Sequence, residues 1–239
     1  MRTLTCAAVA ASILFSTAIV NAHIEVASGS AIANTSQKIT FAVAHGCTDT
    51  AGAKLDTISV KIDIPAGVTS VRAMTSDFGK PAATVDGSNN VTSLTWTKPS
   101  GDLQTGAPSD FQWYEITLRA RIPNTPFTKI QFVVTQTCQD GVGAQTVVVW
   151  DQPEGSMTGS PSPLLKVVPP HRTGWNKVMM TTMIADTDLP TYFGDAQIVW
   201  RGNAAYSPSA DVTALIGMTP GVSVLSGLIM PGDELWVKY

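Results

Sequence analysis

The stretch TISVKIDIP, residues 57–65, decides the fold. Its apolar positions are Ile58, Val60, Ile62 and Ile64. Polar side chains fall between them, at Ser59, Lys61 and Asp63. Because successive side chains of a β-strand point to opposite faces, this alternation predicts a strand with one buried face and one solvated face.

Three other segments alternate in the same way. They are KITFAV (38–43), YEITLRARIP (114–123) and KIQFVVTQT (129–137), and each is read as one strand. Turn-forming residues such as Asp86-Gly87 and Pro123-Asn124 separate the apolar runs. Several short strands punctuated by turns predict an all-β chain. We expect an antiparallel β-sandwich, immunoglobulin-like or cupredoxin-like, over residues 23–168.

A small, mainly β unit is expected over residues 169–239. A stretch rich in Pro, Gly and Ser, residues 152–174, precedes most of it and suggests a linker or an extended crossing. Beyond this stretch, WNKVMMTTMI (175–184) and DELWVKY (233–239) are interpreted as strands. DVTALIGM (211–218) fits a short helix or a strand.

Residues 1–22 have the features of a secretion signal. Arg2 supplies the positive start, residues 7–20 are almost wholly apolar, and Val20-Asn21-Ala22 resembles a cleavage site. The apolar run is short for a transmembrane helix, which needs about 20 residues, and no later segment is long and apolar enough. The sequence therefore predicts export to the periplasm or secretion, with no transmembrane segment in the mature chain.

Composition and charge narrow the class of protein. With 44% hydrophobic and 14% charged residues, the chain can bury a large core. Its formal net charge is −3, and loss of Arg2 with the signal makes it one unit more negative. This balance argues against nucleic acid as a partner, because such partners favour a basic protein face.

Cysteine use agrees with export. Cys6 lies within the signal, which leaves Cys47 and Cys138 in the mature chain. A pair of cysteines in an oxidising compartment indicates a disulfide, here closing a loop of about 90 residues. The alternative is that the two thiolates bind a metal ion.

His23 would be the first residue of the mature chain. Its α-amine and imidazole Nδ1 can then chelate one ion in a six-membered ring. Copper(II) suits such nitrogen donors, which lie in one plane around it. The amine exists only after cleavage and must lose its proton to bind, so acid should weaken binding. The alternative is that His23 follows the cleavage site by chance.

The other candidate residues are weaker. His45 and His171 form no zinc-binding pattern and are interpreted as a strand-end residue and a loop residue. No nucleophile motif or phosphate-binding loop is present, so we expect a binding protein and no catalytic residues. Met179 and Met183 share a strand face and suggest either core filling or a copper(I) site.

Four motifs occur in one order along the chain. They are HIEV (23–26), FAVAHGCTDTAGAKLDTISVKIDIPAGV (41–68), FVVTQTCQDG (132–141) and VVVWDQP (147–153). Together they resemble the YcnI-like copper-binding domain of bacterial exported proteins, over about residues 23–165. The resemblance implies a β-sandwich that holds one copper(II) through the amine and side chain of His23. It also implies that Trp150 approaches the metal, and it supports the pairing of Cys47 with Cys138.

The chain departs from that family at one ligand. Family members carry a Glu a few residues into the mature chain, at a place that aligns with Ser30. Here the carboxylate is Glu25 instead, two residues after His23. Residues i and i+2 of a strand point the same way, so Glu25 is the candidate substitute ligand. The C-terminal unit resembles extensions found in some of these proteins.

The sequence therefore predicts an exported copper(II)-binding protein whose metal residues are His23, Glu25 and Trp150. Delivery, storage or homeostasis of copper would fit, with another copper-handling protein as partner. Two alternatives are open. One is an enzyme like the copper-dependent lytic polysaccharide monooxygenases, in which His45 would have to join His23. The other is a metal-free structural or adhesive sandwich.

Overall fold

A computed structural model describes residues 23–99, 112–156 and 158–239. The predicted signal, residues 1–22, lies outside this part of the chain. The described residues form two packed sets of strands with two short α-helices, so the all-β prediction is confirmed. The strands of the first unit are β1 (Ile24–Val26), β2 (Ala31–Ile32), β3 (Ser36–Val43), β4 (Cys47–Thr48), β5 (Lys54–Asp63), β6 (Thr69–Ala73), β7 (Ala82–Val85), β8 (Val91–Thr97), β9 (Tyr114–Arg121), β10 (Thr128–Gln131), β11 (Val134–Gln139), β12 (Gln145–Gln152), β13 (Ser160–Pro161) and β14 (Leu164–Val168).

The first unit is a sandwich of two sheets. One sheet has four antiparallel strands in the order β1-β3-β9-β6. The facing sheet has the order β13-β12-β11-β5-β8-β7, with β4 paired to β5. In this sheet only β13 runs parallel to its neighbour. Because β1 and β13 each stand at the end of the strand order, they are edge strands of their sheets. A third sheet, with the order β10-β14-β2, adjoins the sandwich.

The alternation read from the sequence forms the core. Val60 and Ile62 of β5, together with Ile116 and Leu118 of β9, are fully buried in one apolar cluster between the sheets. Burying alternate side chains of both sheets removes apolar area from water, at about 25 cal/mol for each Å². The aromatic members also interlock, as in the edge-to-face contact between Phe41 and Phe132, whose ring centroids are 5.1 Å apart.

One predicted strand is two strands in the structure. KIQFVVTQT was expected to be continuous, but β10 ends at Gln131 and β11 begins at Val134 in a different sheet. At the corner, the amide of Phe132 donates to the carbonyl of Pro163, and the amide of Asp63 donates to the carbonyl of Val133. Ile130, Phe132 and Val134 stay buried through the corner, which is why the apolar pattern alone did not reveal it.

A disulfide joins the start of β4 to β11. Cys47 and Cys138 are bonded, with Cα atoms 5.8 Å apart. Both are buried beside Leu55 in a small separate apolar cluster. The bond connects the segment after β3 to the centre of the larger sheet, and it leaves neither cysteine as a free thiolate.

The second unit is also mainly β. Its elements are β15 (Trp175–Met179), β16 (Ile184–Ala185), a 3-10 helix (Asp186–Asp188), α1 (Leu189–Phe193), β17 (Ile198–Arg201), β18 (Ala204–Tyr206), α2 (Ala210–Met218), β19 (Ser223–Val224), β20 (Leu228–Ile229) and β21 (Glu234–Lys238). A five-stranded sheet has the order β15-β21-β17-β18-β19, and β16 pairs with β20. DVTALIGM, which fitted either a helix or a strand, lies in helix α2, where Asp211 is in the first turn and interacts favourably with the helix dipole.

The two units share apolar contacts. Phe127 and Val168, from the first unit, belong to the same buried cluster as the core of the second. Phe127 makes ring contacts with Tyr192 and Phe193 of α1, at centroid distances of 5.6 and 5.7 Å. Among the described residues, no helix is long and apolar enough to span a membrane.

Candidate metal centre

His23 lies at the open edge of the sandwich. It directly precedes β1, and Ile24, the first residue of that strand, pairs with Val43 of β3. Ile24 is 2% exposed and inserts into the core. This buried anchor holds the strand in place, while His23 itself remains partly exposed beside a groove.

Trp150 is the aromatic neighbour of His23. The ring centroids are 5.9 Å apart and the planes meet at 66°, an edge-to-face arrangement. Trp150 belongs to β12, in the sheet opposite β1, and is 6% exposed. Residues that are far apart in sequence thus meet where the two sheets face each other.

Gln136 fixes the indole of Trp150. The indole N–H donates to Oε1 of Gln136, which is 1% exposed on the neighbouring strand β11. The Gln136 amide donates to the carbonyl oxygen of His45 and to the hydroxyl of Thr57, at 2.8 and 2.7 Å. Gln136 was not predicted as a site residue from the sequence. Its only signal was a polar residue at a buried position of an alternating strand.

Glu25 lines the same groove as His23. The groove has a volume of about 450 Å³ and runs between β1 and the segment that carries Glu154 and Ser162. Glu25 is exposed, whereas Lys129 holds the Glu154 carboxylate at 2.5 Å. The structure therefore places His23 against the ring of Trp150 and in the same groove as Glu25.

Ser30 lines a different groove. This second groove, of about 360 Å³, lies where the two units meet and is also lined by His171 and Asp195. His171 stacks on Tyr239 at 3.8 Å, and its Nε2 lies 3.6 Å from the Asp195 carboxylate. Burial raises the pKa of the Tyr239 hydroxyl well above its ordinary value. The position aligned with the family Glu is therefore not in the groove that contains His23.

Side chains alone do not make a metal cluster here. Among residues 23–99, 112–156 and 158–239, no group of three or more His, Cys, Asp or Glu side chains could hold an ion. The chelate expected from the sequence takes two of its atoms from one residue, so it stays a prediction. His45 contributes its carbonyl oxygen to the Gln136 network, and its Nδ1 contacts the carbonyl oxygen of Gly46.

The methionines of the second unit divide between core and surface. Met180 is 3% exposed and fills the core, but Met179 and Met183 are about half exposed. Core filling therefore explains only Met180. The copper(I) hypothesis for Met179 and Met183 stays a prediction.

A family model matches residues 23–167, more than half of the chain, and it is described as "Domain of unknown function (DUF1775)". The chain belongs to the DUF1775 family. The matched DUF1775 region starts at His23 and includes Glu25, Gln136 and Trp150, whereas β15 and all later elements lie beyond it.

One solved structure similar to this DUF1775 chain is an uncharacterized protein from Nocardia farcinica, described as having an immunoglobulin-like fold. The two are 22% identical, with a TM-score of 0.48, and the alignment covers 61% of this chain and 97% of the other. No curated protein matches the sequence.

Proposed function

We propose that the mature chain, starting at His23, binds one copper(II) ion as cargo in a single-histidine brace. The observation that carries the proposal is the position of His23. His23 directly precedes an anchored edge strand. The centroid of its ring lies 5.9 Å from that of the Trp150 ring, and His23 lines the same groove as Glu25. A chelating N-terminal residue needs such an anchor, because a mobile terminus would bind the ion without a defined geometry.

The nitrogen donors come from His23 alone. Its α-amine and Nδ1 close a six-membered chelate ring, which favours copper(II) over other divalent ions of the first transition series. The carboxylate of Glu25 can add an oxygen donor from the same groove. Glu25 thereby takes the role that the YcnI-like family assigns to a Glu at the position of Ser30.

Trp150 shields the site rather than donating to it. An indole has no lone pair for a metal, but its electron-rich face attracts a cation, and its bulk excludes water. Because Trp150 is buried and hydrogen-bonded to Gln136, its ring is already in place before an ion arrives. This arrangement supports binding and holding of copper, since it restricts one side of the ion while the groove stays open on the other.

Copper handling outside the cytoplasm is the role that follows. The disulfide is typical of chains in oxidising compartments, which agrees with export to the periplasm or beyond the cell. The open groove gives a second copper-handling protein access to the ion, so delivery, storage and homeostasis can all use the same site. Hydrolytic or oxidative chemistry has no role in this proposal.

The decisive experiment compares two forms of the protein that differ by one residue. The first starts at His23, and the second retains Ala22 ahead of it, which converts the amine to an amide. Both are titrated with copper(II) and followed by electron paramagnetic resonance. The form starting at His23 should bind one ion with nitrogen coupling, and both the Ala22 form and His23→Ala should lose that site. Equal binding by all three would overturn the proposal.

A second readout separates binding from catalysis. Copper-loaded protein is incubated with chitin or cellulose and a reductant, and the soluble products are analysed. We expect no oxidised sugars. Their appearance, and their loss in His23→Ala, would replace cargo binding with a monooxygenase function.

A further inference from the structure

The outer face of the four-stranded sheet carries a row of cations. Arg119 of β9 pairs directly with Lys38 of β3 on one side and with Arg72 of β6 on the other. Arg121, two residues further along β9, lies on the same face. All four side chains are exposed. We define these four residues as the basic face.

Repulsion between these neighbouring cations destabilises the sheet unless an anion compensates their charge. Directly paired residues of neighbouring antiparallel strands have Cβ atoms about 5 Å apart, and like charges at that distance destabilise the sheet. No carboxylate of the described residues forms an ion pair with any member of the basic face. The contacts that Arg72 and Arg121 make are to the carbonyl oxygen of Val71 and the side-chain oxygen of Asn34.

The positive charge of the basic face is opposite in sign to the net charge of the whole chain. The protein has a formal net charge of −3, yet four cations lie together across three strands, a width of about 10 Å. Carboxylates occupy the other end of the same sheet, where Glu25 and Glu115 both pair with Ala42. The face is therefore polarised along its strands over about 13 Å, the rise of four residues.

A cavity rich in hydrogen-bond donors adjoins the basic face. It has a volume of about 230 Å³ and is lined by Arg72, by Thr69 and Ser70, and by Asn89 and Asn90 of the facing hairpin. The carboxylate of that hairpin, Asp86, is already engaged by the backbone N–H groups of Ser88 and Asn90. Hydroxyl and amide donors beside an arginine suit the oxygens of a phosphate group.

We propose that the basic face docks on the headgroup surface of a bilayer that contains anionic phospholipid. Charge complementarity carries the argument: several unpaired cations on a flat sheet match a flat array of phosphates. A protein partner fits less well, because protein interfaces have an apolar centre. The described exposed apolar side chains that adjoin this sheet face are Met74, directly after β6, and Trp113, directly before β9 at the end away from the basic face.

The test uses the chain from His23 onward, because both apolar cores lie within it and residues 1–22 would insert into lipid themselves. The protein is sedimented with vesicles of phosphatidylcholine alone and with vesicles that also contain phosphatidylglycerol. We expect binding only to the anionic vesicles at low salt, and release when ionic strength shortens the Debye length from about 10 Å to about 3 Å. No binding to anionic vesicles, or equal binding to neutral ones, would overturn the proposal.

Matched variants identify the face. Arg72→Gln with Arg119→Gln should weaken binding about 25-fold, because each cation near an anionic surface contributes about fivefold. Lys61→Gln with Lys177→Gln changes the net charge equally on other surfaces, and it should bind like the parent protein. Equal losses in both double variants would contradict the assignment. If the first pair does not fold, Lys38→Gln alone should still weaken binding about fivefold.

Two further arms separate the surface from other anions. Inorganic phosphate, added at constant ionic strength, should leave vesicle binding unchanged, and displacement would mean a site for free phosphate instead. Retention on a polyanion resin without binding to anionic vesicles would assign the face to a soluble polymer and overturn the proposal.

Discussion

The indole N–H of Trp150 donates a hydrogen bond to Oε1 of Gln136, 3.1 Å away, in the interior of the sandwich. The other end of the Gln136 amide is also engaged, by the carbonyl oxygen of His45 and by Thr57. A buried network in which each polar group has a partner holds its members in one arrangement. The orientation of Trp150 against His23 therefore depends on a residue that touches neither the histidine nor its groove.

Replacing Gln136 with Leu should disturb both stability and copper binding. The substitution leaves the buried indole N–H of Trp150 without its hydrogen-bond partner, which costs about 1–3 kcal/mol. The freed indole should also lose its fixed position beside His23, and the change in tryptophan fluorescence on copper(II) addition should shrink. Urea unfolding measures the first effect and a fluorescence titration the second.

Gln145→Leu is the matched control, because Gln145 is exposed and its side chain bonds only to Gln139. That variant should change stability by no more than about 0.5 kcal/mol. If the Gln136 variant behaves like this control, Trp150 is held by packing alone.

Glu25 and Ser30 give opposite expectations for copper affinity. Glu25 lines the His23 groove and Ser30 lines the groove between the two units. Glu25→Gln should therefore lower copper(II) affinity about tenfold, equivalent to about 1.4 kcal/mol, while Ser30→Ala leaves it unchanged. Isothermal titration of protein with a verified His23 terminus makes the comparison. A loss in the Ser30 variant alone would reverse the assignment.

Much of the fold could be predicted from the sequence because period two is a local property. Ile116, Leu118 and Ala120 alternate with exposed residues in the sequence, and they are buried in the structure. The corner between Gln131 and Val134 was missed for the same reason, since the alternate apolar side chains stay buried where the chain changes sheets. The local pattern indicates which side chains are buried, but it does not indicate to which sheet they belong.

The candidate site was harder to predict from the sequence, because it depends on which residues pair between neighbouring strands. His23 and Trp150 were found through a cleavage site and a family motif, which are both readable in one dimension. Gln136 enters the site because β11 and β12 pair with Val134 opposite Trp150. The basic face arises in the same way, from the pairing of Lys38, Arg119 and Arg72 across three strands. Pairings between distant segments depend on the whole fold, so a local sequence pattern does not predict them.

The disulfide should contribute strongly to stability. It links residues 91 positions apart, and its loss releases a long loop in the unfolded chain. Changing both Cys47 and Cys138 to Ser should cost about 4–5 kcal/mol by the loop-entropy relation, which is large for one domain. Urea unfolding of the double variant measures the cost. A loss below about 1 kcal/mol would contradict the loop-entropy account of this disulfide.

Lys98 should be the most sensitive charged residue in the core. Its side chain is 4% exposed, and Nζ lies 2.6 Å from the Asp56 carboxylate and 2.7 Å from the Tyr114 hydroxyl. Asp56→Ala leaves a buried ammonium without its counterion, which costs about 3–5 kcal/mol. The double variant Asp56→Leu with Lys98→Met removes both charges and should recover most of that loss. Thermal unfolding of the three proteins makes the comparison, and a double variant no more stable than Asp56→Ala would contradict this account.

Asp233 should make the second unit sensitive to acid. The backbone N–H of Met230 and, to a smaller extent, Arg201 stabilise the carboxylate and lower the pKa of Asp233 below its ordinary value of 3.8. A carboxyl whose pKa is lowered by folding contributes stability above its unfolded pKa. That contribution disappears as the pH falls through the lower, folded value. The parent protein should therefore lose more stability than Asp233→Asn between pH values of about 6 and 3, as measured by denaturant unfolding at each pH.

Arg201→Met keeps the larger interaction, with Met230, and should retain most of the pH dependence. Identical acid profiles for the parent and Asp233→Asn would show that this turn contributes nothing to acid sensitivity.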